Sequence, residues 1–216
     1  MTPLKPLALA SIVSLAVLVL GACATPGDPG SEPVPEPGVV GSADPLATGA
    51  PAATGEVIGQ GTVLQAGTAP PQFCLGGVME SYPPQCSGPG IVNWDWEQAD
   101  QWETASGVTW GAYALTGTWD GRDFTRTGAP IPLSLYDAMP FEDPLAGRQG
   151  TTDEQELERI QQDIVAGHDG YVLTAGAERG FATVTVVYDD GSFQARMDGE
   201  YGAGVVVVLS ALRPTG

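Results

Sequence analysis

Residues 24–55 can build no core. Pro26, Pro29, Pro33, Pro35, Pro37, Pro45 and Pro51 stand there among Gly, Ala, Ser and Thr, with Asp28, Glu32, Glu36 and Asp44 interspersed and no aromatic side chain. Without apolar periodicity, nothing offsets the conformational entropy of ordering such a segment. Repeated proline favours extended conformations that rise about 3.1 Å per residue. The stretch reads as a tether, so whatever folds must be assembled from residue 56 onward.

Ahead of it, residues 1–22 have the three parts of an export signal: a short start with Lys5, an apolar core over residues 7–20, and the small pair Gly21 and Ala22. That core is shorter than the roughly 20 apolar residues a spanning helix needs, which argues against an uncleaved anchor. Leu20-Gly21-Ala22-Cys23 resembles the lipobox cut by bacterial lipoprotein signal peptidase. The resemblance implies a mature chain that begins at Cys23, carries lipid there, and sits on the outer face of the cytoplasmic membrane. Each buried CH₂ contributes about 0.8 kcal/mol, so two or more acyl chains make such an attachment stable. A plain secretory cut near Ala22 would instead leave Cys23 unmodified.

Of the eight basic residues one, Lys5, lies in the leader, so seven arginines face 26 acids in the rest of the chain. Nucleic acid and anionic membrane surfaces attract Lys/Arg patches, so this balance argues against both as partners and favours basic ligands or cations. Solubility alone is the plainer account of the charge. With Cys23 assigned to lipid, Cys74 and Cys86 remain as an even pair in an exported chain, and a disulfide is expected. A closed zinc site wants four Cys or His ligands, and His168 is the only histidine, so no metal and no cofactor is expected.

Between residues 56 and 128 five short β-rich runs are expected as strands: 56–65, 72–75, 91–96, 108–118 and 123–126. Asp120-Gly121 marks a hairpin turn between the last two. Residues 97–104 suggest a short helix after the third strand. Five strands with a helix in that place resemble the layout of an OB-like barrel, and residues 108–127 resemble the closing hairpin of small secreted barrels of that type. The strings Gln72-Phe73-Cys74-Leu75-Gly76, Ser81-Tyr82-Pro83-Pro84-Gln85-Cys86 and Trp94-Asp95-Trp96 are also similar to those of predicted lipoproteins from high-GC Gram-positive bacteria. That likeness implies exported localisation and assigns no catalytic residue.

Trp94 and Trp96 are two apart, so on a strand they share one face while Asn93, Asp95 and Glu97 point to the other. Two readings stand side by side. In one, Trp94, Asp95, Trp96 and Glu97 form an aromatic platform with carboxylates for a glycan or cation, as OB-like barrels bind oligosaccharides on a strand face. In the other, these tryptophans, with Trp110 and Trp119, fill a small barrel's core and the acids face water.

Residues 129–150 read as a linker or as the first strand of a second unit over 151–216. Thr151-Thr152-Asp153-Glu154-Gln155 offers an N-cap, Leu157, Ile160, Ile164 and Val165 follow at helical spacing, and Gly167 is a stop. The acids at 153, 154, 156 and 158 complement the helix dipole or face solvent rather than marking a metal site. His168 falls where a cation suits a helix C-terminus. Residues 171–175 and 181–188 form a hairpin across 176–180. Phe193, Met197 and Tyr201, at i, i+4 and i+8, suggest a second helix despite Gly199. Asp189-Asp190-Gly191-Ser192 lacks calcium-loop spacing and reads as a turn before that helix. Val205-Val206-Val207-Val208-Leu209 reads as a strand covered on both faces. With residues 131–136 as a first strand, the order fits a ferredoxin-like α+β unit. The chain's end also loosely resembles the propeptide domains of secreted serine proteases, which implies inhibitor-like or protein-binding behaviour.

The expected fold is therefore mainly β plus α+β, an OB-like barrel followed by a ferredoxin-like unit. Nucleophilic catalysis needs a base beside a nucleophile, and outside the leader the chain holds one histidine, no lysine and no unassigned cysteine. The leading expectation is a non-enzymatic binding or interaction protein whose partner is a cell-envelope protein or glycan. The alternatives are a carbohydrate-active enzyme using the carboxylates beside Trp94 and Trp96, or restraint of an exported protease by the C-terminal unit.

Overall fold

The computed structural model describes residues 50–138, 143–168 and 170–215. Cys23, the leader and nearly all of the tether lie outside the described residues. The architecture starts from β1, Glu56–Ala66, whose inward positions are Val57, Gly59, Gly61 and Val63. The two glycines are required by what lies opposite. A Cβ on Gly61 would strike the Cys74 carbonyl, and one on Gly59 would reach the Leu212 and Leu75 side chains.

β1 pairs antiparallel along its whole length with β5, Val108–Trp119, which follows β2 (Gln72–Cys74), β3 (Gly90–Val92) and β4 (Glu103–Ala105) in the chain. On its other edge β1 takes β2, and β2 takes β3. Then β6, Asp123–Arg126, lies parallel to β3 and antiparallel to β5, closing a five-stranded barrel in the order β1-β2-β3-β6-β5-β1. The turn into β6 is the one expected at Asp120-Gly121. Gly121 has φ 97°, and the Asp120 carboxylate accepts from the Arg122 and Asp123 amides at 2.8 and 2.7 Å. Those two bonds, Asp123's the stronger, hold its carboxyl below the usual carboxylate range. Cys74 and Cys86 are joined in a disulfide.

Two expectations are corrected within the barrel. Residues 97–104 form no α-helix: a single 3₁₀ turn, Trp96–Gln98, is followed by β4, which pairs with β5 as a hairpin. Gln101 at φ 60° interrupts any helix, and the β-branched Thr104 pairs its hydroxyl with that of Thr109 across the hairpin at 2.8 Å. Residues 131–136 do not join the second sheet. Instead β7, Ile131–Pro132, pairs with Tyr113 and Ala114 on the stretch of β5 left open between β4 and β6.

Beyond it, α1 (Glu154–Gly167) is capped by the Asp153 carboxylate, which accepts from the Glu156 amide at 2.9 Å. Leu157, Ile160 and Ile164 are buried. Val165, expected on the same stripe, is 50% exposed because one residue past Ile164 rotates it off that face. β8 (Val172–Glu178) and β9 (Phe181–Val186) form a hairpin tighter than the glycines suggest. Its turn is Arg179-Gly180, both at positive φ, as two-residue turns demand.

α2 (Ser192–Tyr201) leads to β10 (Val206–Ser210), which runs parallel to β9. Both helices cover one face of this three-stranded sheet, through Ala182, Val184, Val186, Phe193, Met197 and Val206. On the opposite face Leu145 packs against Phe181 and Val207, so β10 is covered on both sides as expected. The chain then returns to the barrel. Leu212 is fully buried with Val187 and Tyr188 in the barrel's own core cluster, and β11 (Arg213–Pro214) pairs with Val57 and Ile58 of β1.

All described residues fall in one compact unit, and this shared core is the reason. Leu212→Ala should therefore destabilise barrel and sheet together, by about 3 kcal/mol for a fully buried leucine. Urea unfolding followed by tryptophan fluorescence, which senses the barrel, and by far-UV circular dichroism, which senses the helices, should give one coincident transition moved to lower urea. Separate transitions would show that the two cores are independent.

Candidate functional site

The structure places Trp94, Asp95, Trp96 and Glu97 beyond the end of β3, so they do not alternate on a strand. Asn93, at φ 62°, turns the chain sharply after β3. The Asp95 carboxylate then organises the 3₁₀ turn: one oxygen accepts from the Glu97 amide and the other from the Gln98 side chain, both at 2.9 Å. Glu97 is exposed.

Trp94 and Trp96 nevertheless meet edge to face, with ring centroids 5.1 Å apart, and Trp94 lies 5.2 Å from Tyr113. Both are half-buried against the barrel core. Trp96 donates its indole N–H to Gln65 at 2.6 Å, near the C-terminal end of β1. The pair therefore stoppers the barrel at that end, with Trp102 6.2 Å further out from Trp96. Tyr113 completes the stopper by donating to the Asp100 carbonyl at 2.8 Å.

At the other end of β5 a cleft of about 590 Å³ opens between the barrel and the helix-covered sheet. Barrel loops supply one side of it through Gly76, Gly77, Ser87 and Arg122, and the end of α1 and the start of β8 supply another through His168 and Leu173. Trp119 stands at its base, donating its indole N–H to the Pro51 carbonyl at 2.9 Å, while Ala53 donates to the Trp119 carbonyl. Ala50, where the described chain begins, also lines it.

His168 follows the last residue of α1, as expected, and meets Phe193 edge to face at 5.0 Å. Tyr171, another lining residue, donates to the Tyr188 carbonyl at 2.5 Å. Its phenol is held well above the usual range, by burial first and then by the charges of Asp189 and Asp190.

Sequence reasoning did not find this cleft. Its walls come from six separated stretches of chain, and no spacing in the sequence marks their convergence. No protein-family model, curated protein or solved structure matches the chain. Among the described residues no group of three or more His, Cys, Asp or Glu side chains is placed to hold a metal ion.

The stopper carries a pH signature. Burial, and secondarily the charge of Asp100, push the Tyr113 phenol up to about 12, against about 10 in an unfolded chain. The neutral phenol's contribution is fully present below about pH 10 and is lost as pH rises through about 12. Tyr113→Phe removes the hydrogen bond and should cost about 1 kcal/mol at neutral pH. Because phenylalanine does not ionise, the gap between wild type and variant in urea unfolding should narrow above about pH 10. A gap that stays constant into that range would contradict the assignment.

Proposed function

We propose that this chain is an exported, lipid-anchored, non-enzymatic binding protein of the bacterial cell envelope, held to the outer face of the cytoplasmic membrane through lipid on Cys23. The leader, the lipobox-like Leu20-Gly21-Ala22-Cys23 and the proline-rich tether support the address. The observation that carries the binding reading is the cleft, whose size suits a small-molecule site. Of the two carboxylates that the sequence offers beside the tryptophans for acid–base chemistry, Asp95 is engaged in the turn by the Glu97 amide and the Gln98 side chain, and Glu97 is exposed.

We read the barrel as OB-like. Its strand order, with β3 and β6 parallel and β1 shared between β2 and β5, supports that reading. The second sheet keeps the one-sided helix layer of a ferredoxin-like unit, with three described strands.

The test has two arms. Intact mass of the membrane-fraction protein should show a species that starts at Cys23 with added acyl mass, and an inhibitor of lipoprotein signal peptidase should abolish it. An unacylated soluble species would remove the anchor. The purified protein should also be retained by cell-envelope material at low salt, and its failure to bind any envelope fraction would remove the binding role.

A further inference from the structure

The geometry points to a specific class of ligand for the cleft between barrel and sheet: a small organic anion, with its acid group against Arg122 and its apolar part on Leu173 and Val187. This rests on reading the chain as a binding protein and not on the lipid anchor.

The first argument is that the opening is set in part by the backbone. At Gly77, Gly167 and Gly170 an added Cβ would meet nothing, so these positions face open space in the cleft wall. At Gly88 and Gly121 it would strike the Phe73 and Ala50 carbonyls, and at Gly76 it would press tightly on Leu173. Backbone segments thus approach as closely as glycine permits at Gly88 and Gly121, the barrel loop at Gly76 packs tightly on Leu173, and no side chain stands at Gly77, Gly167 and Gly170. Part of the wall is therefore backbone, formed before a ligand arrives, and side chains such as Trp119, Arg122, Tyr171 and Leu173 supply the rest.

The second argument is charge. In a chain with 26 acids, no Asp or Glu lines the cleft among the described residues, whereas Arg122 and His168 do. Other arginines are engaged. Arg159 and Arg179 pair with carboxylates at 2.6 and 2.7 Å, Arg126 donates to Asn93, Gln98 and Gly128, and Arg148 lies over the Phe181 ring. The Arg122 side chain is 91% exposed, and its ion pair with Asp123 is a loose 3.9 Å. An exposed ion pair at that distance contributes little, so the guanidinium can turn to a carboxylate or phosphate oxygen and form a charge-assisted hydrogen bond. Leu173 and Val187, which continue into the barrel core, supply the apolar floor.

The experiment is calorimetric titration of the purified full-length protein with octanoate, benzoate and phenyl phosphate, each beside a neutral counterpart such as octanamide. At least one anion should bind with one-to-one stoichiometry and about tenfold more tightly than its neutral counterpart. Arg122→Gln, a surface change without effect on the urea midpoint, should reduce the anion to its counterpart's affinity and leave the counterpart unchanged. Gly77→Phe fills the cleft from an unstrained position and should abolish binding of both, again without moving the midpoint. Gly167→Leu is a second filling variant if the first unfolds.

Absence of saturable binding by all three anions up to about 10 mM would overturn the proposal, as would anion binding indifferent to both Arg122→Gln and the filling variants. If envelope retention persists while anion binding fails, the cleft assignment falls alone. If retention is lost while anion binding holds, the envelope role falls and the site stands.

Discussion

The fold depends on β1 being able to serve two edges at once. Its whole length pairs with β5, its second half takes β2 on the other edge, and its first half takes β11. A strand used this way must bend, and side chains at its middle inward positions would hold its neighbours apart. Gly59 and Gly61 remove that obstacle, and the vacated volume is taken by Phe73, Leu75 and Leu212. Glycine in a strand weakens the strand itself, by up to about 1 kcal/mol relative to alanine. Here the loss is offset by burying Phe73 and Leu212, with the partly buried Leu75 packed beside them; these come from two other parts of the chain, and each fully buried one contributes about 1.5–3 kcal/mol on removal from water.

Because β11 and Leu212 come from beyond the second sheet, the same strand that closes the barrel also fastens the C-terminal half to it. Val187 and Tyr188, just past β9, enter the barrel's core cluster for the same reason. The cleft follows from this arrangement. The two bodies are drawn together through Leu212 and the end of β9, and they remain apart at the cleft, where six glycines are among the lining residues.

Sequence periodicity was informative wherever an element buries one face against its own neighbours. Four of the five barrel strands, α1, α2 and the β9–β10 core can be read directly, because Val57/Val63, Leu157/Ile160/Ile164 and Phe193/Met197 repeat at the period of the structure they form, whereas the third strand, expected to residue 96, ends at Val92. Where an outcome depended on a distant partner, the local signal misled. Residues 131–136 are as strand-like as the text of a ferredoxin-like unit requires, yet their partner is decided by the open stretch of β5 at Tyr113 and Ala114, which no local pattern announces. The disulfide was legible once Cys23 is set aside for lipid, which leaves Cys74 and Cys86 as an even pair. The cleft was not, since its glycines mean something only once Phe73, Leu173 and Ala50 are seen opposite them.

The tryptophan pair shows how one pattern admits two structures. A spacing of two suits a shared strand face, but it also lets two rings meet across a tight turn if the intervening residue caps it. Asp95 does that, so its carboxylate, which sequence alone presents as a chemical group, is the device that brings Trp94 and Trp96 together over Tyr113. A short helix over residues 97–104 is the sequence expectation at this end of the barrel. The aromatic turn closes it with less chain, and residues 103–105 are freed to extend the sheet.

At the opposite end the electrostatics are reversed. An excess of acids over the surface raises the local concentration of cations and repels anions, and this repulsion is screened beyond roughly 8–10 Å at ordinary ionic strength. A lining with Arg122 and His168 and with no acid among the described residues therefore differs from its surroundings at short range alone. An anion approaching this protein is disfavoured until it reaches the cleft, where the guanidinium and the dry surface of Leu173 and Val187 act together. Such an arrangement makes association slow relative to a steered encounter and places selectivity in the contacts themselves. Polyanions are disfavoured further, because their remaining charges would lie against the acidic exterior, and this narrows the site to small molecules.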